Sequence, residues 1–313
     1  MTAWESVLFT IFNCFSILLG SCANFLVIIS FILFSSIREG TSLFLISLSV
    51  ADFLVCTIYQ PLLVYRFNHP DQNQPYVLAQ SFLGYGLFTA SLNGLLNVTF
   101  DRFVTIYFPY KYVVWITERN TFLLIKLSWV VSLVIGILNV ISSTGARIVA
   151  HVYTTAIIVA VPILYRVIYN EARKQARRLT EQSTAGSRVF PRRNNRLVYK
   201  ATTGVGVVLV TTLLCWLPVI LLPAFAASQE ADGHISKEMM WCLTAACANS
   251  CINPFIYCYK FHNFRRKIRK LFRRISRNIT RRDTRKVYPT HHSSRLETFP
   301  RPAWTVNDVP PAE

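Results

Sequence analysis

The sequence predicts an all-α membrane protein: a seven-transmembrane helix bundle with a short amphipathic helix at the inner membrane surface. The first observation is composition, since 52% of the 313 residues are hydrophobic and only 15% are charged. A soluble domain carries about a quarter charged residues. The second is that the apolar residues collect into seven stretches of roughly 20 or more residues, the length needed to cross about 30 Å of hydrocarbon.

These stretches set the order of the elements. We place the spans at about 7–34, 41–65, 77–107, 121–142, 148–170, 198–227 and 239–259. An odd number of spans puts the two termini on opposite sides of the membrane. Residues 1–6 then form the extracellular N-terminus, and the polar, proline-containing residues 276–313 form a disordered cytoplasmic tail.

Two basic segments border the last three spans. In residues 260–275, apolar positions recur at helical spacing and arginine or lysine fills most of the rest. This pattern is typical of an amphipathic helix that lies on the membrane surface. Residues 171–197 are predicted to begin as a helical extension of the fifth span and to break at Gly186 and Pro191.

The net charge of +18 comes mainly from basic residues in segments that we expect on one side of the membrane. Of the 33 lysines and arginines, 15 lie in residues 260–313 and nine in residues 171–200. Because basic residues gather in cytoplasmic loops, these segments are predicted inside and the N-terminus outside, in a multi-pass protein of the plasma membrane. Basic clusters beside a membrane attract anionic lipids, so nucleic acid is not needed as a partner.

All eight cysteines fall in or at the ends of the predicted spans. No pair lies in a segment predicted to be outside. We therefore expect no structural disulfide.

Polar side chains occur at mid-depth in four of the spans. A charge at mid-bilayer costs about 2.5–3.5 kcal/mol on insertion scales, so such groups are functional by default. Asp52 lies midway along the second span, and the polar groups at similar depth are Asn24, Ser91, Asn249 and Asn253. A carboxylate, a hydroxyl and amide oxygens suit a hard cation, with sodium or a proton as candidates. The alternative is that these groups only hydrogen-bond the helices together.

Two prolines interrupt apolar runs, Pro218 in CWLP and Pro254 in NPFIY. Proline removes a backbone donor and kinks a helix, so the pair suggests movable helix halves rather than a passive anchor. Asp101 and Arg102 lie together at the end of the third span. They can neutralise each other at the interface, and the alternative is an ion pair without a switching role.

In order along the chain, these motifs resemble the rhodopsin-like (class A) G-protein-coupled receptors. The resemblance covers about residues 18–272. Its landmarks are Asn24, LSVAD at 48–52, DRF at 101–103, Trp129, Pro162, CWLP at 215–218, NSCINPFIY at 249–257 and Phe264. Each motif alone is common by chance, but their order and placement are highly specific.

The resemblance implies a two-state switch between a ligand site and a G-protein site. Arg102 would face a heterotrimeric G protein in the active state, and Asp101 would hold it at rest. Trp216 would sense the ligand. The switch residues implied are Asp101, Arg102, Trp216, Pro218, Asn253, Pro254 and Tyr257. An arrestin is a further implied partner, recruited by phosphorylation of the tail.

The resemblance also implies an allosteric sodium ion that favours the inactive state. Its pocket would comprise Asp52, Ser91, Asn249 and Asn253. No other cofactor is expected.

The sequence departs from the family pattern in ways that bear on activity. No acid lies at the inner end of the sixth span, where Val198 and Lys200 stand, so the usual latch to Arg102 is missing. Thr212 replaces the aromatic residue expected one turn before Trp216. Missing latches raise the resting active population, so we expect signalling without ligand.

The ligand is constrained mainly by exclusion. Gly84 stands where amine receptors carry an aspartate, and Cys247 where light-sensing members carry the retinal lysine. A protonated amine and retinal are therefore disfavoured. Candidate pocket residues are Tyr59, Gln60, Gln80, Tyr85, Phe88, His151, Trp216 and Trp241.

The surroundings of these candidates favour an amphiphilic or lipid-like ligand. Arg66, Arg147 and His151 could receive an anionic head group, and the neighbouring halves of the sixth and seventh spans are apolar. The alternative is that the candidates are packing and interface residues.

Other function classes fit less well. A transporter would need inverted repeats or a polar pathway through both leaflets, and neither is visible. HExxH and GxSxG motifs are missing from the sequence, so an enzyme is not expected. A receptor-like protein that only forms heterodimers is the remaining alternative.

Overall fold

A computed structural model describes residues 3–33, 40–141, 144–184, 210–221 and 236–260, with Arg269 and Arg273 as isolated helical residues. The chain divides into two units, residues 1–271 and 272–313, and the architecture below is that of the first. Several predicted features lie outside the described residues: the break at Gly186 and Pro191, most of span 198–227, most of the surface helix 260–275, the tail 276–313 and the Tyr257 side chain.

The described ranges are almost entirely helical and contain no strand. In chain order the helices are α1 (Ala3–Leu33), α2 (Gly40–Leu54), α3 (Gln60–Asn68), α4 (Gln74–Tyr107), α5 (Pro109–Trp115), α6 (Glu118–Val140), α7 (Thr144–Thr184), α8 (Val210–Leu221) and α9 (Lys237–Lys260). The all-α prediction is confirmed. Helix α7 also continues past the fifth predicted span, as expected for residues 171–184.

Within the described part of the chain, four helical segments are long and apolar enough to cross a membrane. They are Ala3–Leu33, Ser42–Asn68, Glu118–Val140 and Thr144–Gln175. Helix α8 is apolar but shorter. Helices α4 and α9 are long but more polar, because both direct amide, hydroxyl or carboxylate side chains into the protein interior.

Helix α4 lies at the centre of the bundle, in contact with α2, α6 and α7. It buries side chains along its length, from Gln80 to Ile106. Helix α6 comes close at Gly136, where an added Cβ would lie 2.9 Å from the Phe82 carbonyl oxygen. The missing side chain at Gly136 therefore allows the two helices to touch.

Local signals set the ends of α4. Asn73 caps its start, since the Asn73 side-chain oxygen accepts a hydrogen bond from the Tyr76 N–H at 3.1 Å. Such a cap satisfies a donor that the first helical turn leaves unpaired. The helix ends at Tyr107 because Phe108 precedes Pro109, a position that disfavours helical geometry.

A π-helical turn, Val55–Tyr59, joins α2 to α3. Its closing hydrogen bond runs from the Gln60 N–H to the Val55 carbonyl oxygen, and Pro61, which has no N–H, follows. One extra residue in a turn rotates the following helix by about 100°. This rotation sets which side chains of α3 reach the interior.

Candidate functional site

A buried carboxylate joins three helices near the middle of the bundle. Asp52 of α2 is fully buried. Its Oδ1 accepts hydrogen bonds from Ser91 Oγ of α4 at 2.7 Å and from Ser250 Oγ of α9 at 2.8 Å, and its Oδ2 accepts from Asn253 Nδ2 of α9 at 2.8 Å. We call these four residues the carboxylate cluster. All three donors are neutral, so they do not neutralise the charge of the carboxylate.

An ion pair lies at the end of α4, where α5 begins. Arg102 Nη2 lies 3.1 Å from Asp101 Oδ2, and the Asp101 side chain is fully buried. The Tyr112 hydroxyl of α5 donates to Asp101 Oδ1 at 3.1 Å. Asp101 is thus held from two helices, which fixes the position of the carboxylate against Arg102.

Helix α8 reaches the interior through an aromatic contact and a polar contact. Trp216 is buried and meets Phe88 of α4 edge to face, with ring centroids 5.1 Å apart. One turn earlier on the same helix, Thr212 Oγ1 donates to Asn249 Oδ1 of α9 at 2.9 Å. A movement of Trp216 would therefore also shift the hydrogen bond between α8 and α9.

A cavity of about 500 Å³ lies between the helices on the side of Trp216 that faces Arg66. Its lining residues come from the π-helical turn and from α3, α4, α7, α8 and α9. They are Tyr59, Arg66, Gln80, Ser81, Gly84, Tyr85, Phe88, Thr89, His151, Thr154, Thr155, Ile158, Trp216, Val219, Ile220, Met239 and Leu243. The volume lies in the range of small-molecule binding sites, roughly 300–1,000 Å³.

Among the described lining residues, polar contacts join α3 to α4 and α4 to α7. Arg66 Nη1 donates to Gln80 Oε1 at 2.8 Å. The Tyr85 hydroxyl lies 3.2 Å from His151 Nε2. Between them, an added Cβ at Gly84 would lie 2.7 Å from the Tyr59 ring, so Tyr59 fills the space that a side chain at position 84 would need.

Comparison with known proteins identifies the family. The sequence model of the 7 transmembrane receptor (rhodopsin family) matches residues 23–157 and 145–257. The chain belongs to this family. It is therefore a multi-pass membrane receptor with a seven-helix bundle, not an enzyme, and family membership implies coupling to G proteins.

Individual relatives of the receptor are distant but cover most of its length. The melatonin receptor type 1A of Gallus gallus is 26% identical over 278 residues, 82% of this chain and 78% of that protein. The cannabinoid receptor 2 of Homo sapiens is 24% identical over 243 residues, 73% of this chain and 67% of that protein. These names refer to unlike ligands, so the ligand class must be argued from the cavity itself.

Six of the eight predicted pocket residues of the receptor line the cavity: Tyr59, Gln80, Tyr85, Phe88, His151 and Trp216. Gln60 and Trp241 do not. Trp241 lies edge to face against Phe9, with ring centroids 5.0 Å apart. Of the cations predicted to receive an anionic group, Arg66 and His151 line the cavity, whereas the exposed Arg147 does not.

Gln60 belongs to a second polar cluster. Gln60 Nε2 donates to Asn13 Oδ1 of α1 at 2.9 Å, and Asn13 Nδ2 donates to Thr244 Oγ1 of α9 at 3.2 Å. All three side chains are buried. We call Asn13, Gln60 and Thr244 the amide cluster. It joins α1, α3 and α9 without any formal charge.

The predicted sodium-site residues are only partly together. Ser91 and Asn253 contact Asp52, whereas Asn249 Oδ1 accepts a hydrogen bond from Thr212 Oγ1. Ser250 takes the remaining place beside Asp52, and sequence reasoning missed it. The sequence feature that could have identified Ser250 is its position three residues before Asn253, which places the two side chains on the same helix face.

The carboxylate cluster fits a small hard cation. Asn253 Oδ1 is buried and has no hydrogen-bond partner among the described residues. An unmet amide oxygen next to a carboxylate and two hydroxyls provides the oxygen ligands that such a cation prefers. Asp52, Asn253 and Ser91 would hold it.

Asp101 of the switch set and Asn24, a landmark of the first span, each have a partner that the sequence did not suggest. Tyr112, which holds Asp101, lies eleven residues away on a separate helix. Asn24 Nδ2 donates to the Ser250 carbonyl oxygen at 2.9 Å, which ties α1 to α9 beside the carboxylate cluster. Pro218 and Pro254 lie inside α8 and α9, as their motifs required.

Proposed function

We propose that the receptor converts ligand binding in the cavity into activation of a heterotrimeric G protein. The observation that carries the proposal is the link from the cavity through α8 to α9. Trp216 lines the cavity, and Thr212 on the same helix is bonded to Asn249, the residue next to Ser250 of the carboxylate cluster. A ligand that displaces Trp216 thus acts on the contact between two proline-containing helices.

The resting state is stabilised at the other end of the bundle. Asp101 holds Arg102 at 3.1 Å, and Tyr112 holds Asp101. Activation releases Arg102 to the G protein as α8 and α9 shift around Pro218 and Pro254, with Asn253 and Tyr257 rearranging. The two sites are coupled because both bias the same two-state element.

A sodium ion in the carboxylate cluster stabilises the resting state. Asp52, Ser91 and Asn253 supply its oxygen ligands, and Asn249 is close in sequence but bonded to Thr212. The ion compensates the one formal charge of the cluster. Release of the ion leaves that charge buried, which favours the rearranged state.

The receptor acts at the plasma membrane, with residues 1–6 outside and the tail 276–313 in the cytoplasm. The basic segments near residues 171–200 and 260–275 support this orientation. The same segments bind anionic lipids, and the phosphorylated tail binds an arrestin. The cavity then opens toward the extracellular side or the membrane.

Basal activity is raised and the ligand is a small amphiphile. The missing acid near Val198 and Lys200, which lie outside the described residues, supports the first point. The second is supported by the mixture of Arg66 and His151 with apolar lining residues such as Ile158 and Leu243.

The test is basal G-protein activation in transfected cells, measured with a sensor for each Gα family at matched surface expression. We expect a signal above receptor-free cells in at least one sensor. Arg102→Ala should reduce that signal to the receptor-free level, because Arg102 faces the G protein in the active state. Arg119→Ala, an exposed arginine at the same end of the bundle, is the matched control and should keep the signal.

Two outcomes would contradict the proposal. A basal signal that survives Arg102→Ala would remove Arg102 from the coupling site. Silence in every sensor would refute raised basal activity and would favour a receptor-like heterodimer partner that does not signal alone.

A further inference from the structure

Two polar side chains from different helices meet in the cavity wall. Arg66, at the end of α3, donates to Gln80 of α4 with an N–O distance of 2.8 Å. The two residues are 4% and 3% exposed, and both line the cavity. The fold brings them together across fourteen residues of sequence.

The contact with Arg66 fixes the orientation of the Gln80 amide. A guanidinium group only donates hydrogen bonds, so the amide oxygen must face it and the NH₂ group must point elsewhere. Gln80 Nε2 is buried and has no hydrogen-bond partner in the described ranges. Since buried donors are normally satisfied, Gln80 Nε2 requires an acceptor that this part of the chain does not supply.

The described lining residues favour an anion as that acceptor. Among the described lining residues, the basic side chains are Arg66 and His151, and none is a carboxylate. The Tyr59 ring fills the space beside Gly84, so no acid can be placed there without moving it. Arginine binds carboxylate and phosphate oxygens through parallel N–H donors, and Gln80 Nε2 adds another donor.

The remainder of the cavity suits an apolar body. Away from Arg66 and Gln80, the lining includes Phe88, Ile158 and Leu243 and ends at Trp216. A ligand that fills about 500 Å³ therefore needs a polar head at one end and hydrocarbon at the other. An apolar body in contact with Trp216 also reaches the residue that links the cavity to α9.

We propose that the ligand is a small amphiphile with one oxyanion head group, a carboxylate or a phosphate, bound by Arg66 and Gln80 Nε2. Its apolar body lies against Phe88 and Trp216. This inference rests on the proposed function, because it takes the cavity to be the ligand site of the receptor.

The test uses purified full-length receptor in phosphatidylcholine nanodiscs and four single-chain amphiphiles of equal chain length. They are an alkanoate, an alkyl phosphate, an alkanol and an alkylammonium, each titrated against the thermal midpoint of unfolding. We expect a saturable rise with the alkanoate or the alkyl phosphate. The affinity for the alkanol should be lower by a factor of about ten or more, since the alkanol cannot form charge-assisted hydrogen bonds. The alkylammonium should not bind.

Three variants locate the head group. Arg66→Gln should weaken binding of the anion about tenfold or more and leave binding of the alkanol unchanged. Arg147→Gln replaces an exposed arginine that does not line the cavity, so it should change the binding of neither. Gln80→Glu places a carboxylate beside Arg66, so it should abolish anion binding and allow the alkylammonium to bind. This reversal tests the inference even if Arg66→Gln does not fold.

The anion can come from the membrane or from solution. Phosphatidylglycerol in the nanodisc should compete with the alkyl phosphate if the ligand is a membrane lipid, and should not compete if it is a free amphiphile. Either result keeps the oxyanion head group.

The inference is overturned if the anions bind no better than the alkanol, or if Arg66→Gln and Arg147→Gln weaken binding alike. A basal G-protein signal that depends on Arg102, in a receptor that binds none of the anions, would overturn this inference and leave the proposed function in place. Anion binding that depends on Arg66 but does not change G-protein activation would keep the anion site and refute the proposed function.

Discussion

The amide cluster and the carboxylate cluster both join α9 to neighbouring helices, but only one of them carries a formal charge. In the amide cluster, Asn13 exchanges hydrogen bonds with Gln60 and Thr244. In the carboxylate cluster, Asp52 accepts three hydrogen bonds from α4 and α9. The members of both clusters are less than 5% exposed, so burial does not distinguish them.

The difference in charge separates two roles for buried polar groups. The neutral amides and hydroxyls of the amide cluster bond one another, although Gln60 Oε1 is buried without a hydrogen-bond partner among the described residues. Such bonds in membranes contribute about 0.6 kcal/mol on average, with a maximum near 1.7. A carboxylate held only by neutral donors still needs a cation or a proton. The amide cluster therefore stabilises the bundle, whereas the carboxylate cluster can also respond to ions.

The largest expected effect is the loss of sodium dependence in Asp52→Asn. At ten times its dissociation constant, sodium should stabilise the wild type by about 1.4 kcal/mol, which raises the thermal midpoint by about 3–6 °C. The asparagine variant keeps the shape of the side chain but has no charge to bind the ion, so its thermal midpoint should be the same with and without sodium. Thermal unfolding of purified receptor with and without sodium measures both values.

Replacing sodium by N-methylglucamine at equal ionic strength controls for screening of surface charges. An equal shift with both cations, or an unchanged sodium shift in Asp52→Asn, would refute the ion site.

A smaller effect is expected when the amide cluster is broken. Asn13→Ala removes the bonds to Gln60 and Thr244 and should destabilise the receptor by about 0.6–1.7 kcal/mol. The sodium shift should be retained, because Asp52 is untouched. The same thermal assay provides the comparison.

Asn68→Ala is the matched control for this variant. Asn68 also connects α3 to α1, through Thr10 Oγ1 at 3.1 Å, but it is exposed. We expect almost no loss of stability there, because an exposed amide can replace its partner with water. A loss of the sodium shift in Asn13→Ala would mean that the two clusters act as one unit.

Sequence reasoning separated these clusters only in part. Asp52 stood out because charge in an apolar span is rare, and it lies buried in α2 beside Ser91 and Asn253. Gln60 was predicted to face the ligand, next to Tyr59, but the π-helical turn Val55–Tyr59 changes the direction of the side chains that follow it. Helical periodicity assumes a constant turn, so it cannot anticipate a rotation of about 100°.

The partners of the polar residues were harder to predict than the residues themselves. Ser250 and Tyr112 are ordinary in sequence, and their roles arise only because α9 and α5 bring them to Asp52 and Asp101. Conversely, Asn249 has the expected amide but bonds Thr212. Which neighbour a buried polar group chooses depends on helix rotation and packing, and these are set by contacts far apart in sequence.

The smallest expected effect concerns the hydrogen bond between Thr212 of α8 and Asn249 of α9. Thr212→Val keeps the side-chain shape and removes the donor to Asn249 Oδ1. If the bond is made only in the resting state, its loss at about 0.6 kcal/mol shifts the two-state equilibrium about threefold toward the active state. Basal G-protein activation should rise by that factor.

Thr99→Val is the control, since Thr99 is also buried but donates to the Leu95 carbonyl oxygen of its own helix. A rise of the same size in Thr99→Val, or no rise in Thr212→Val, would show that this bond does not distinguish the two states and that Trp216 must reach α9 by another route.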